Sequence, residues 1–243
     1  YVFATSMVLL DVATVAAQPA SRCTPNRPRW RADLQGSASD FYVSGIDVSE
    51  EALYVHGPFD FVGGVVAPGL AKWDGFAWSA LPDPLGAVER VATLEAVPYI
   101  IGHFRFPSDP ASSDRRYRLA RAVASGWEPV TALTNGDIDD IVTTPTYLYT
   151  RGTFASVDGR IADGFARWDG KRWQALKSPP TTDYSYMEAH RENVFLLDAN
   201  FGEPDKVRLY RFDGEAWLEI APALAGEALD LAINEDGKVV SVR

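Results

Sequence analysis

Residues 70–78 read Leu70-Ala71-Lys72-Trp73-Asp74-Gly75-Phe76-Ala77-Trp78, and the same phrase returns twice further along the chain. Its second copy is Phe165-Ala166-Arg167-Trp168-Asp169-Gly170-Lys171-Arg172-Trp173, and its third is Leu209-Tyr210-Arg211-Phe212-Asp213-Gly214-Glu215-Ala216-Trp217. A reduced copy runs from Leu119-Ala120-Arg121 to Gly126-Trp127. Asp-Gly between alternating apolar residues is a hairpin signal, because both residues tolerate positive φ. Each copy therefore predicts a strand, a tight turn and a second strand.

The last Trp of each copy sets a period. Trp30, Trp78, Trp127, Trp173 and Trp217 are spaced by 48, 49, 46 and 44 residues. A repeat of this length fits one four-stranded blade of a β-propeller. A second element lies upstream of the first. It reads Gly57-Pro58-Phe59, Gly102-His103-Phe104 and Gly152-Thr153-Phe154, each ending a short apolar run, with a weaker copy from Val194 to Phe201. Thirteen residues before these Phe positions stand Ile46, Val91, Ile141 and Glu188, expected on the innermost strands.

The two ends read as complementary parts of one blade. Residues 228–243 hold an innermost strand, an Asp-Gly turn and a second strand. Ala20 to Thr24 aligns with a third strand, and Pro28 to Leu34, around Trp30, with an outermost one. The expectation is an all-β chain with one propeller domain over residues 18–243. It has five four-stranded antiparallel blades, the last closed by N- and C-terminal strands; ring closure removes exposed strand edges. A fragment of a longer propeller is the rival. Pairing of Val239 to Val242 beside Ala20–Thr24 decides between them.

Residues 1–17 are apolar and precede Gln18-Pro19, so they read as the remnant of a signal peptide, or else as an extra strand. Asp11 inside the run stands against the first reading. An extracellular or periplasmic location follows from it. Arg22 before Cys23 argues against a lipoprotein anchor, and no other stretch is apolar and long enough to span a membrane.

The blade motif, Gly-x-Phe followed by Ala-Arg-Trp-Asp-Gly-x-x-Trp, resembles the kelch/galactose-oxidase-like propeller repeats of secreted bacterial proteins. That resemblance implies a fold and leaves the activity open. Strict kelch repeats end the second strand in a Gly pair, whereas Gly57, Gly102 and Gly152 stand alone. The Asp-Gly-x-x-Trp turns also look like the Asp-box of sialidases, without its Ser or Thr and without the residue between Asp and Gly.

The composition narrows the function classes. A net charge of −10 with no Lys/Arg cluster excludes a nucleic-acid binder. One cysteine excludes an internal disulfide and a thiolate zinc site. His56, His103 and His190 fall out of register with one another. Lys72, Arg121, Arg167 and Arg211 fall in register, which predicts an ion pair or stacked guanidinium repeated in each blade. Asp47, Glu89, Asp139, Asp140, Glu188 and Asp230 recur on the expected innermost strands. They predict acidic groups along the channel. Asp137, Asp139 and Asp140 form the densest run of oxygen ligands and are the candidates for a Ca²⁺ site, although no cofactor is required. The channel carboxylates, Asp139 and Asp140 among them, are the candidates for a glycan hydrolase or lyase.

The longest loops are expected from Arg105 to Tyr117 and from Asp60 to Gly69. Long loops on a rigid scaffold carry recognition. Arg105, Asp109, Arg115 and Arg116 are the binding candidates. The favoured function is a non-enzymatic scaffold that binds a protein or carbohydrate through its loop faces.

Overall fold

The computed structural model describes residues 39, 42–49, 52–84, 86–106, 116–130, 133–134, 136–179, 186–199, 207–224, 230–233 and 239–242. These residues are all-β. They form a β-propeller in which four complete blades are described.

Blade 1 starts with β1 (Gly45–Val48) and β2 (Leu53–His56). A small hairpin, β3 (Phe61–Val62) and β4 (Val65–Val66), intervenes before β5 (Leu70–Trp73) and β6 (Trp78–Ala80) complete the sheet. Blade 2 is β7 (Gly86–Leu94), β8 (Val97–Phe104), β9 (Arg116–Val123) and β10 (Gly126–Pro129). A short strand, β11 (Leu133–Thr134), leads into blade 3, where β12 (Ile138–Thr143) pairs with β13 (Leu148–Gly152). Blade 3 repeats the hairpin, as β14 (Ser156–Val157) and β15 (Arg160–Ile161), ahead of β16 (Phe165–Trp168) and β17 (Trp173–Ala175). Blade 4 is β18 (Tyr186–His190), β19 (Asn193–Ala199), β20 (Val207–Phe212) and β21 (Trp217–Leu224). Then β22 (Asp230–Ile233) and β23 (Val239–Val242) pair as a two-stranded sheet. They are the innermost and second strands expected there. The pairing of β23 with Ala20–Thr24 lies outside the described residues, as does everything before Ser39.

The repeated phrase spans the third strand, the turn and the first residue of the outermost strand. Its turn is a four-residue loop rather than a two-residue one, with Trp73 facing Trp78 and Trp168 facing Trp173 across it. One aspartate oxygen holds each loop. Asp74 Oδ1 accepts from the Phe76 and Ala77 amides at 2.8 and 2.9 Å. Asp169 does the same for Lys171 and Arg172, and Asp213 for Glu215 and Ala216. These amide bonds hold all three carboxyls below their ordinary pKa. The glycine after each Asp has φ between +87° and +103°, a region closed to most side chains.

The tryptophans join the blades. Trp127 Nε1 donates to Pro82 O at 2.7 Å, Trp173 Nε1 to Val130 O at 3.1 Å, and Trp217 Nε1 to Lys177 O at 3.2 Å. Each acceptor lies just past the outermost-strand Trp of the preceding blade. Apolar layers fill the space between blades. Tyr54 and Leu70 meet Val91, Ile100 and Ala120 between blades 1 and 2. Tyr99, Ile101 and Leu119 meet Ile141 and Ala166 between blades 2 and 3. Tyr149 and Phe165 meet Met187, Leu196 and Tyr210 between blades 3 and 4. Each fully buried large side chain contributes roughly 1.5–3 kcal/mol. The recurrent Phe59, Phe104 and Phe154 are all fully buried. The Gly before them is needed for close approach: a Cβ on Gly152 would lie 2.0 Å from Asp137 O.

The in-register cations have the structural role expected of them in two blades. Arg121 pairs with Glu128 on the adjacent outermost strand. Arg167 stacks over Tyr147 at 4.3 Å and donates from Nε to Gln174 at 2.9 Å. The segment from Asp60 to Gly69, expected as a long loop, is instead structured. It folds as the β3–β4 hairpin, and its Val62 and Ala67 pack beneath Phe59 and beside Trp78.

Candidate functional site

Antiparallel pairing places alternate turns at opposite ends of a blade. The turns between first and second strands share one end of the blades with the Asp-Gly turns. The connections between second and third strands, including both small hairpins, lie at the other end. A cavity of about 940 Å³ runs along the centre and is lined by the innermost strands of all four blades. Its lining includes Ser49, Glu95, Pro145 and Arg191, all from first-to-second-strand turns. The cavity therefore opens at the short-turn end, away from the long-loop end.

A charged network from three blades lies below this mouth, with Glu188 joining from blade 4. His56 Nε2 is 3.2 Å from Asp47 Oδ2, and Asp47 Oδ1 is 3.8 Å from Arg90 Nε. Arg90 Nε reaches Asp140 Oδ1 at 3.1 Å, and Arg90 Nη2 is 3.9 Å from Glu188. Asp140 Oδ2 is 3.9 Å from Arg151 Nη2. Asp140 and Arg151 are buried, while Arg90 and Glu188 are half-buried and line the cavity. Burial pushes the Asp140 carboxyl up, and the Arg90 and Arg151 guanidinium groups pull it back only in part.

Two of these carboxylates also tie backbone. Asp47 Oδ2 accepts from the Val91 amide of the next blade at 3.1 Å. Asp140 Oδ1 accepts from its neighbour Ile141 at 2.9 Å. A buried charge costs least when it is paired, and here Arg90 pairs with carboxylates of the blades on either side of it.

The candidate residues are dispersed rather than gathered. Asp140 turns inward, whereas Asp137 and Asp139 are exposed, with the strand register shifting between Ile138 and Asp140. Among the described residues no three His, Cys, Asp or Glu converge in a way that could hold a metal ion. Glu89 pairs with His103 at 3.0 Å on an exposed flank and not in the channel. His190 lines the cavity. Arg105 is half-buried next to Phe106, at the end opposite the cavity mouth. Asp109 and Arg115 lie outside the described residues, and Arg116 is described only as the first residue of β9.

Arg90 and Arg151 are the functional-site residues that counting acids on inner strands overlooks. A signal for Arg90 was present. Arg90 stands fourteen residues before Phe104, and Asp140 fourteen before Phe154, so opposite charges occupy one register position in adjacent blades.

No protein-family model matches the chain, and comparison with curated proteins finds no match. Solved structures do resemble it. One is a structural genomics protein of unknown function from Bacteroides thetaiotaomicron VPI-5482. It has a TM-score of 0.50 and 14% identity, over 85% of this chain and 53% of that one. Another is a nidogen/laminin complex, with a TM-score of 0.47 and 15% identity, over 79% of this chain and 66% of that one. At these identities the likeness concerns the fold alone. The chain spans about two thirds of one of these structures and about half of the other. Among the described residues no helix is long and apolar enough to cross a membrane.

Proposed function

We propose that this chain is an exported, non-enzymatic propeller scaffold, completed to five blades by its own terminal strands, that binds a protein or carbohydrate partner without a cofactor. The observation that carries this reading is the commitment of the channel carboxylates. Asp47 and Asp140 are held by Arg90, Arg151, His56 and backbone amides. A carboxylate so engaged serves as a structural tie between blades and is poorly placed to attack or protonate a substrate. The likeness of the blade motif to repeats of secreted bacterial proteins supports export. The loop end, with Arg105 and the segment that follows it, is the proposed partner face.

A second reading has one observation in its favour. Burial pushes the Asp140 carboxyl up, and it shares Arg90 with the cavity-lining Glu188, so two carboxyl groups in unlike surroundings meet at one guanidinium. Glycan-array binding with the full chain separates the two readings. Binding that weakens at least about tenfold in Arg105→Glu and is unchanged in Glu188→Gln supports the scaffold. Release of glycan fragments that stops in Glu188→Gln supports the hydrolase or lyase and contradicts the scaffold.

A further inference from the structure

One face of blade 1 is unlike its counterparts. Ile46, Val91, Ile141, Met187 and Leu231 each lie on an innermost strand, at the start of a cross-strand row. In blades 1–4 the rows run Ile46–Val55–Ala71, Val91–Ile100–Ala120, Ile141–Thr150–Ala166 and Met187–Leu196–Tyr210. Val91, Ile141, Met187 and Leu231 are 4%, 1%, 1% and 2% exposed, because each is packed against the preceding blade, whereas Ile46 is 60% exposed. Val48 and Tyr42 beside it are exposed as well. Trp78 also lacks the bond to a preceding blade that its counterparts make, although its indole packs on Gly63 of blade 1's own hairpin. The other three outermost-strand tryptophans donate to the preceding blade, while Trp78 Nε1 is buried without an acceptor.

The rows show what fits there. The third-strand member of each row, Ala71, Ala120, Ala166 or Tyr210, lies seven residues before its blade's Trp and is buried. Seven residues before Trp30 is Cys23. In β22–β23 the buried Leu231 pairs with Ser241. The acceptors for Trp127, Trp173 and Trp217 lie three or four residues past the preceding Trp, which at Trp30 means Asp33 or Leu34.

We infer that residues 20–34 of this same chain dock between β23 and the exposed face of blade 1, with Cys23 opposite Ser241 and the Asp33 or Leu34 carbonyl accepting from Trp78 Nε1. This rests on the closed-ring reading and adds the register to it. The row becomes Leu231–Ser241–Cys23, and the new blade covers Ile46. A small thiol suits a position that is Ala in three other blades.

The test uses the full chain with Ser241→Cys, oxidised in air. Directly paired strand residues have Cα atoms about 4.5–5.5 Å apart, within the range a disulfide spans. The expected result is an intramolecular Cys23 bridge that forms with Ser241→Cys and not with Val240→Cys or Val242→Cys, because successive strand positions alternate between the two faces of a sheet. A bridge from position 240 or 242 contradicts the register. A disulfide-linked dimer means that a second copy occupies the face, and it overturns the proposal. The unmodified chain supplies a second readout. Cys23 should react with a thiol reagent on the order of a hundredfold more slowly in the native state than in denaturant. Equal rates, with no bridge formed, also overturn the docking. None of these results depends on glycan or protein binding, so the docking and the scaffold function can fail separately.

Discussion

Blade 3 and blade 1 are built from nearly the same words, yet among the described residues only blade 3 has a neighbouring blade on both faces. They share the Phe, the inserted hairpin, the Ala-Lys/Arg-Trp-Asp-Gly strand and turn, and a tilted Trp–Trp pair at 5.2 and 5.4 Å. Blade 3 lies between blades 2 and 4, so Ile141 and Trp173 both meet a neighbour. Blade 1 meets blade 2 on one side, while Ile46 is exposed on the side where residues 20–34 are proposed to dock and Trp78 Nε1 is left without an acceptor. The difference teaches that a blade motif specifies a sheet, and that the stability of each face depends on what lies next to it.

The largest expected effect comes from the charged network along the innermost strands. Asp140→Ala leaves Arg151 buried without its carboxylate, and breaking such a pair costs about 3–5 kcal/mol in denaturant unfolding. A loss below about 1 kcal/mol would show that water already compensates these charges.

Next comes the apolar comparison. Ile141→Ala should cost about 2–5 kcal/mol. Ile46→Ala should match it if the fifth blade covers that face, and should cost under about 1 kcal/mol if the face is open, as surface changes do. The same logic at smaller scale applies to the indoles. Trp173→Phe loses one buried hydrogen bond, about 1 kcal/mol beyond the change in packing. Trp78→Phe should equal it only in a closed ring.

The smallest effect is shared by both blades. The turn carboxyls of Asp74 and Asp169 titrate below their unfolded values because they accept amide hydrogen bonds. A depressed folded pKa contributes stability above the unfolded value of about 3.9, and that stability is lost as pH falls through the folded pKa. Replacing both by Asn should flatten the acid limb of a thermal-stability profile and leave its shape above about pH 6 unchanged. An unchanged acid limb would mean the turns do not set it.

Much of this architecture was legible in the sequence, because the period and the Asp-Gly turns state it locally. The order of strands, the buried Phe positions and the structural roles of Arg121 and Arg167 followed from register. The site was less legible. Residues 60–69 read as a long loop, yet Val62 and Ala67 pack the segment as a hairpin on Phe59. The inner-strand acids read as a like-charged ring, because nothing in composition shows that Arg90 and Arg151 come between them in space. Asp139 and Asp140 look equivalent in sequence; the register shift at that point sends one outward and one inward.

The most direct measurement is the exchange of the indole Nε1 protons by NMR, comparing Trp78 with Trp127, Trp173 and Trp217 in the full chain. A ring closed on blade 1 gives four slowly exchanging indoles, Trp78 among them. Rapid exchange at Trp78 beside three protected indoles would contradict closure and leave that face of blade 1 open.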